Sequence, residues 1–222
     1  MNKIVFLFSF ILLLSCEQKN IPETKNLNIQ TVDTDFSKGR LGLEHSVALE
    51  DLEKFHGHLC DGLVVGYQAL ELALQRLYPN GKTDRTNTRI VSKPSPCLTD
   101  AAIYLTGGRY QFNTFYVSDK ISGLFVVQRI DNGKTITVAM RKEVKPSEID
   151  SLGAIAVKGE LPACDLDKLK KLEDDFSNYL LKTEPSKNFI TKEMHDFEWN
   201  PDLKNDFIKT DILNKNKPNC NL

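Results

Sequence analysis

The sequence predicts an α+β fold, an antiparallel or mixed sheet with helices packed on it, and three observations carry that reading. Residues 61–78 are apolar around most of a 3.6-residue period, which marks a buried helix. Asp131-Asn132-Gly133-Lys134, between two β-rich runs, is the signature of a type I′ hairpin. Helices surround a lone strand early in the chain and a run of strands follows, which suits an α+β layer better than a doubly wound sheet. A length of 222 residues, 41% hydrophobic and 27% charged, suits one domain with a small appendage. Collagen, wholesale disorder and a multi-span membrane protein are excluded by that composition. With 29 basic against 30 acidic residues, the chain carries no electrostatic footprint for nucleic acid.

From the N-terminus, Lys3 precedes an apolar run, Ile4 to Leu14, interrupted only by Ser9. That run is shorter than the roughly 20 residues a bilayer core demands and fits a signal-peptide core. Leu13-Leu14-Ser15-Cys16 has the form of a bacterial lipobox, so residues 1–15 are expected to be a lipoprotein signal peptide. Cys16 would be the lipidated N-terminus, and the protein would be tethered to the cell envelope by acyl chains. Residues 16–43 show no sustained period and read as a flexible tether. The folded domain is expected over 44–200, with 201–222 as a C-terminal extension whose end, 214–222, reads as frayed.

Within the body, the first helix covers Asp61 to Tyr78 and ends at Pro79-Asn80-Gly81. Its polar residues Gln68, Glu71 and Gln75 form one narrow stripe. Gly62 and Gly66, one turn apart, cost helix propensity, so a neighbour is expected to pack close on that side. Thr88 to Ser92 reads as a strand. A second helix starts with Ser95 as N-cap and Pro96 at the first position, and closes at Gly107-Gly108. Phe112 to Val117 reads as a strand. With Asn132 and Gly133 as the hairpin loop, Val127 faces Val138 and Phe125 faces Met140. A last helix runs from about Asp165, its expected cap, to Leu181.

The chemistry concentrates in Phe55-His56-Gly57-His58-Leu59-Cys60. In an extended stretch, positions 56, 58 and 60 share one side. Imidazole and thiolate together suit zinc or another late first-row divalent metal. Cys97, just inside a helix N-terminus, is the candidate fourth ligand; Cys60 lies just before another. Both thiols then feel a positive dipole end that favours thiolate. Asp100 shares the helical face of Cys97, where it could orient a ligand or carry a proton. Two alternatives stay open: surface histidines beside a Cys60–Cys97 disulfide in an oxidising compartment, and a thiol-redox pair. Cys164 and Cys220 read as structural, and a bond between them is one of three full pairings of the four later cysteines. His45 and His195 carry no signal.

FHGHLCDGLVVGYQAL at 55–70 resembles the N-terminal motif of the FmdE family, named for the formylmethanofuran dehydrogenase operon, usually FHGH-x-C-P-G. PCLTDAAIYLTGGRYQFNTFYV at 96–117 resembles its cysteine-containing DAIQ…TGC segment. The resemblance covers about residues 45–160. It implies an α+β core with a metal-binding cleft between the two motifs, with His56, His58, Cys60 and Cys97 as donors and Asp100 matching the DAIQ aspartate. Asp61 replaces the usual proline, Gly108 stands where the TGC cysteine would be, and Tyr110-Gln111-Phe112-Asn113 replaces a glycine-rich segment. The CxxC module that ends some members is absent. These readings lead to an exported metal-binding protein, an enzyme on a small molecule or a metal carrier, with a homodimer as a further expectation.

Overall fold

A computed structural model describes residues 27–34, 43–201 and 220. In chain order these form β1 (Asn28–Val32), β2 (Glu44–Ala48), α1 (Leu49–His56), α2 (Asp61–Leu77) and β3 (Lys82–Asp84). Then come β4 (Thr88–Ser92), α3 (Pro96–Thr106), β5 (Phe115–Val117), β6 (Phe125–Arg129) and β7 (Thr135–Met140). The last are α4 (Ser147–Ala156), α5 (Ala163–Leu181), α6 (Pro185–Asn188) and β8 (Phe189–Met194). Two mixed sheets, ordered β2-β1-β3 and β5-β4-β6-β7-β8, with six helices make the α+β fold that the sequence predicts. No helix among the described residues is long and apolar enough to cross a membrane.

The all-round apolar helix becomes the centre of the molecule. Leu63, Val64, Tyr67, Ala69, Leu70 and Ala73 of α2 are fully buried, each large aliphatic side chain contributing about 1.5–3 kcal/mol. The helix lies against β6 and β7, between α3 and α5. Even Gln68 of the polar stripe is covered, its amide donating to the Leu180 carbonyl of α5 at 2.6 Å. The close neighbour expected at the two glycines is α3. A Cβ on Gly66 would lie 2.8 Å from Ala101 Cβ, and one on Gly62 would lie 2.9 Å from Cys97 Sγ.

Several details differ from the sequence reading. The segment 28–32, inside the expected tether, is β1, the middle strand of the smaller sheet, antiparallel to β2 and parallel to β3. Only Ile29 and Thr31 point inward, so the alternation is too short to stand out. Asp33 holds this strand to the body through a bidentate pair with Arg85, at 2.9 and 2.5 Å. The hairpin register is shifted by two: Phe125 faces Val138 and Val127 faces Ile136. The Gly133 N–H bonds the Arg129 carbonyl, so the turn is longer than Asn132-Gly133 alone. A slip of two keeps each side chain on its face, and Phe125, Val127, Ile136 and Val138 all enter the core. Met140 pairs instead with Phe189 of β8. The Phe112 strand shortens to Phe115–Val117 because Tyr110–Phe112 coil into a 3-10 turn. α5 begins at Ala163 after Pro162, leaving Asp165 in the first turn rather than at the cap.

Beyond β8 the chain crosses the outer face of the large sheet. Trp199 stacks edge-on to Tyr116 at 4.6 Å, donates to Asn113 Oδ1, and lies beneath the Arg89 guanidinium. Cys164 and Cys220 are joined by a disulfide. The expected signal peptide, Cys16 and the frayed tail, apart from Cys220, lie outside the described residues.

Gly66→Ala tests the α2–α3 contact. The added methyl group overpacks against Ala101, and the variant is expected to lose about 1–3 kcal/mol despite its better helix propensity, measured by urea unfolding.

Candidate metal centre

Three chain elements end or begin at one point. His56 is the last residue of α1, and Gly57 follows with φ 100°, a left-handed conformation that a side chain would strain. The chain turns there and Cys60 becomes the N-cap residue of α2. His56 and Cys60 therefore converge through a helix end and a helix start, and the extended alternation that would align 56, 58 and 60 does not form. His56 Nε2 lies 3.8 Å from Cys60 Sγ. Cys97 is the second residue of α3, whose start is as expected: Pro96 at the first position and the Ser95 hydroxyl accepting from the Leu98 N–H. Its sulfur stands 3.4 Å from that of Cys60, unbonded.

The donor atoms of His56, Cys60 and Cys97 all fall within 4.8 Å of one another, a group able to hold a metal ion. His58 is not in that group. Its side chain is exposed and its ring stands 4.8 Å from the His56 ring. Asp100 acts through His56: its Oδ2 accepts from Nδ1 at 2.7 Å. That bond assigns the proton to Nδ1 and leaves the Nε2 lone pair facing the sulfurs. It is the carboxylate–histidine arrangement that orients metal-binding imidazoles. Asp100 is thus a positioning residue.

The electrostatics divide the two thiols. The hydrogen bond from Cys60 draws the Cys97 thiol down to about 7, helped by the nearby imidazole of His56 and opposed by burial. The same bond, with Cys60 as the donor, and burial push Cys60 well above the ordinary thiol range. Burial also raises the carboxyl of Asp61, in part offset by Lys145. On the outside, Phe55 stacks on Tyr104 at 5.2 Å, and Phe55 and Leu59 are exposed. This apolar rim was not legible in the sequence, because nothing local signals the approach of Tyr104 from α3.

Two of the three donor separations lie close to those of a tetrahedral ion, and the third, His56 to Cys97, is within 4.8 Å. Metal–sulfur bonds of about 2.3 Å and metal–nitrogen bonds of about 2.0 Å place sulfurs about 3.8 Å apart and sulfur from nitrogen about 3.6 Å. The observed 3.4 and 3.8 Å differ from these by a few tenths of an ångström.

Motif spacing, fold and site define a class of α+β proteins with a His/Cys centre at the junction of two helices. The chain matches the model described as FmdE, Molybdenum formylmethanofuran dehydrogenase operon, over residues 55–190, and it belongs to that family. No curated protein matches it. Gly108 lies beyond the far end of α3, about 15 Å along the helix from Cys97. It packs against Ile90 and Phe115, where a Cβ would come within 3.0 Å of the Phe115 Cβ. A cysteine there would not reach the three donors within this chain.

Gly62→Ala tests the dependence of the centre on close packing. A methyl group 2.9 Å from the Cys97 sulfur displaces that donor. Metal affinity is expected to fall at least about tenfold while unfolding stability changes by only about 1 kcal/mol, measured by competition with a chromogenic chelator and by urea titration.

Proposed function

We propose that this chain is an exported, lipid-anchored protein of the cell envelope that holds one divalent transition metal, zinc above others, through His56, Cys60 and Cys97. The observation that carries the metal reading is the convergence of one imidazole nitrogen and two sulfurs, with the Nδ1 of that imidazole held by Asp100. Two thiolates and one imidazole match zinc in ligand softness. Among the described residues three protein donors leave a fourth position, as in zinc sites that act on a substrate or pass the ion on rather than closed structural ones. A bound ion there supplies Lewis-acid polarisation of a small-molecule ligand. Around it, Asp100 holds the imidazole in one tautomer and Gly62 admits the Cys97 sulfur. The lipobox at Leu13 to Cys16 supports the anchor, and the Cys164–Cys220 disulfide supports an oxidising compartment.

A second reading, a thiol-redox protein, is favoured by the 3.4 Å sulfur separation and the lowered Cys97 thiol. The two separate on metal content. Zinc analysis of the purified full chain is expected to give one ion per chain, and Cys60→Ser is expected to reduce this to a small fraction. Equal zinc in both proteins would overturn the metal reading. Asp100→Asn is expected to leave the fold intact and weaken zinc binding by about 10–100-fold, because the amide no longer fixes the ring as the carboxylate does. A chelator-competition titration measures it.

A further inference from the structure

The two sulfurs at this centre lie between two bonded states. Their 3.4 Å separation is about 0.4 Å shorter than the span a shared zinc ion imposes. It is about 1.4 Å longer than a disulfide bond. Neither thiol is locked by a large side chain between them. Cys60 is the N-cap residue of α2, in extended backbone just outside the helix, and Cys97 faces the bare Cα of Gly62. The same chain already contains an oxidised pair, which ties Cys164 of α5 to Cys220. Cys60 and Cys97, although within contact distance, remain thiols.

We propose that Cys60 and Cys97 form a two-state pair, bridged by the metal in one state and by a disulfide in the other, so that a peroxide discharges the ion. The inference rests on the metal reading above and adds an oxidant-triggered release to it. One thiolate sulfur attacks an oxygen of hydrogen peroxide; the O–O bond breaks and hydroxide leaves, giving a sulfenic acid. The other thiolate then attacks that sulfur; the S–O bond breaks, a second hydroxide leaves and the S–S bond forms. Two electrons pass from the sulfurs to the peroxide, and the balance is two thiolates plus hydrogen peroxide giving a disulfide plus two hydroxides. A disulfide sulfur is no thiolate donor, so His56 alone of the three ligands remains, and one imidazole does not retain the ion. The metal in turn holds the sulfurs apart and their lone pairs engaged, which protects the pair in a compartment where Cys164 and Cys220 oxidise.

The test uses the purified full chain loaded with zinc, with the ion content measured before any oxidant is added. Hydrogen peroxide is then added while a chromogenic chelator reports free zinc, and thiols and tryptic peptides are followed in parallel. The expected result is one zinc and two thiols lost per chain on one time course, with a Cys60–Cys97-linked peptide. The same link should form at least about tenfold faster in metal-free protein, and reduction should restore zinc binding. Zinc released with no linked peptide overturns the proposal, as does a linked peptide with zinc retained; both leave the metal reading standing. A chain without zinc before peroxide is added overturns the metal reading and this proposal with it.

Discussion

The approach of α2 to α3 is the contact on which the rest depends. It is a near backbone-to-backbone contact, since Gly62 and Gly66 present no Cβ where Cys97 and Ala101 stand at about 3 Å from the position one would take. Two consequences follow from the same geometry. The helices bury Leu63, Leu70, Leu98 and Leu105 in one core with the five-stranded sheet, and their N-terminal ends bring two cysteines 37 residues apart into contact. Alanine at either position would gain helix propensity but collide with α3 at this separation. The glycines concede that propensity for proximity of the sulfurs.

Around this contact the centre is assembled from groups that constrain one another. α1 ends at His56 because Gly57 can take a left-handed turn, and Asp100, one turn after Cys97, holds the imidazole so that its free nitrogen faces the sulfurs. The helix N-termini at Cys60 and Cys97 place positive dipole ends beside the two sulfurs. Two described segments outside the expected domain, β1 and Cys220, join the same body. β1 is inserted between β2 and β3 and held by Asp33 to Arg85, and Cys220 is tied to α5 through Cys164. Residues 28–32 accordingly belong to the small sheet rather than to the expected tether.

Much of the fold was legible because its signals are local. An apolar circumference needs no partner to be recognised, and neither does a Ser-Pro helix start. The strands β1 and β8 were not visible, since five or six residues with one or two inward side chains do not establish a period. The hairpin register failed for a related reason: Asn-Gly marks where a turn falls but not how many residues it contains, and cross-strand packing of Phe125 on Val138 and Val127 on Ile136 decides that. At the site, residue types sufficed to single out His56, His58, Cys60, Cys97 and Asp100. Their division of labour was not visible, because an extended loop and a helix end present the same letters on different sides.

The sequence by itself determined the class of the fold, the buried helix, the family resemblance and the set of side chains able to hold a metal. These are properties of composition, period and short motifs, in which each residue's chemistry is its own. Only the tertiary structure decided that His56 rather than His58 stands beside the two cysteines, that Asp100 bonds the His56 ring, and that Gly108 lies far from the three donor atoms. The reason is distance. Three atoms within 4.8 Å are a statement about how helices pack, and a contact between residues separated by tens of positions depends on the whole core that presses those helices together.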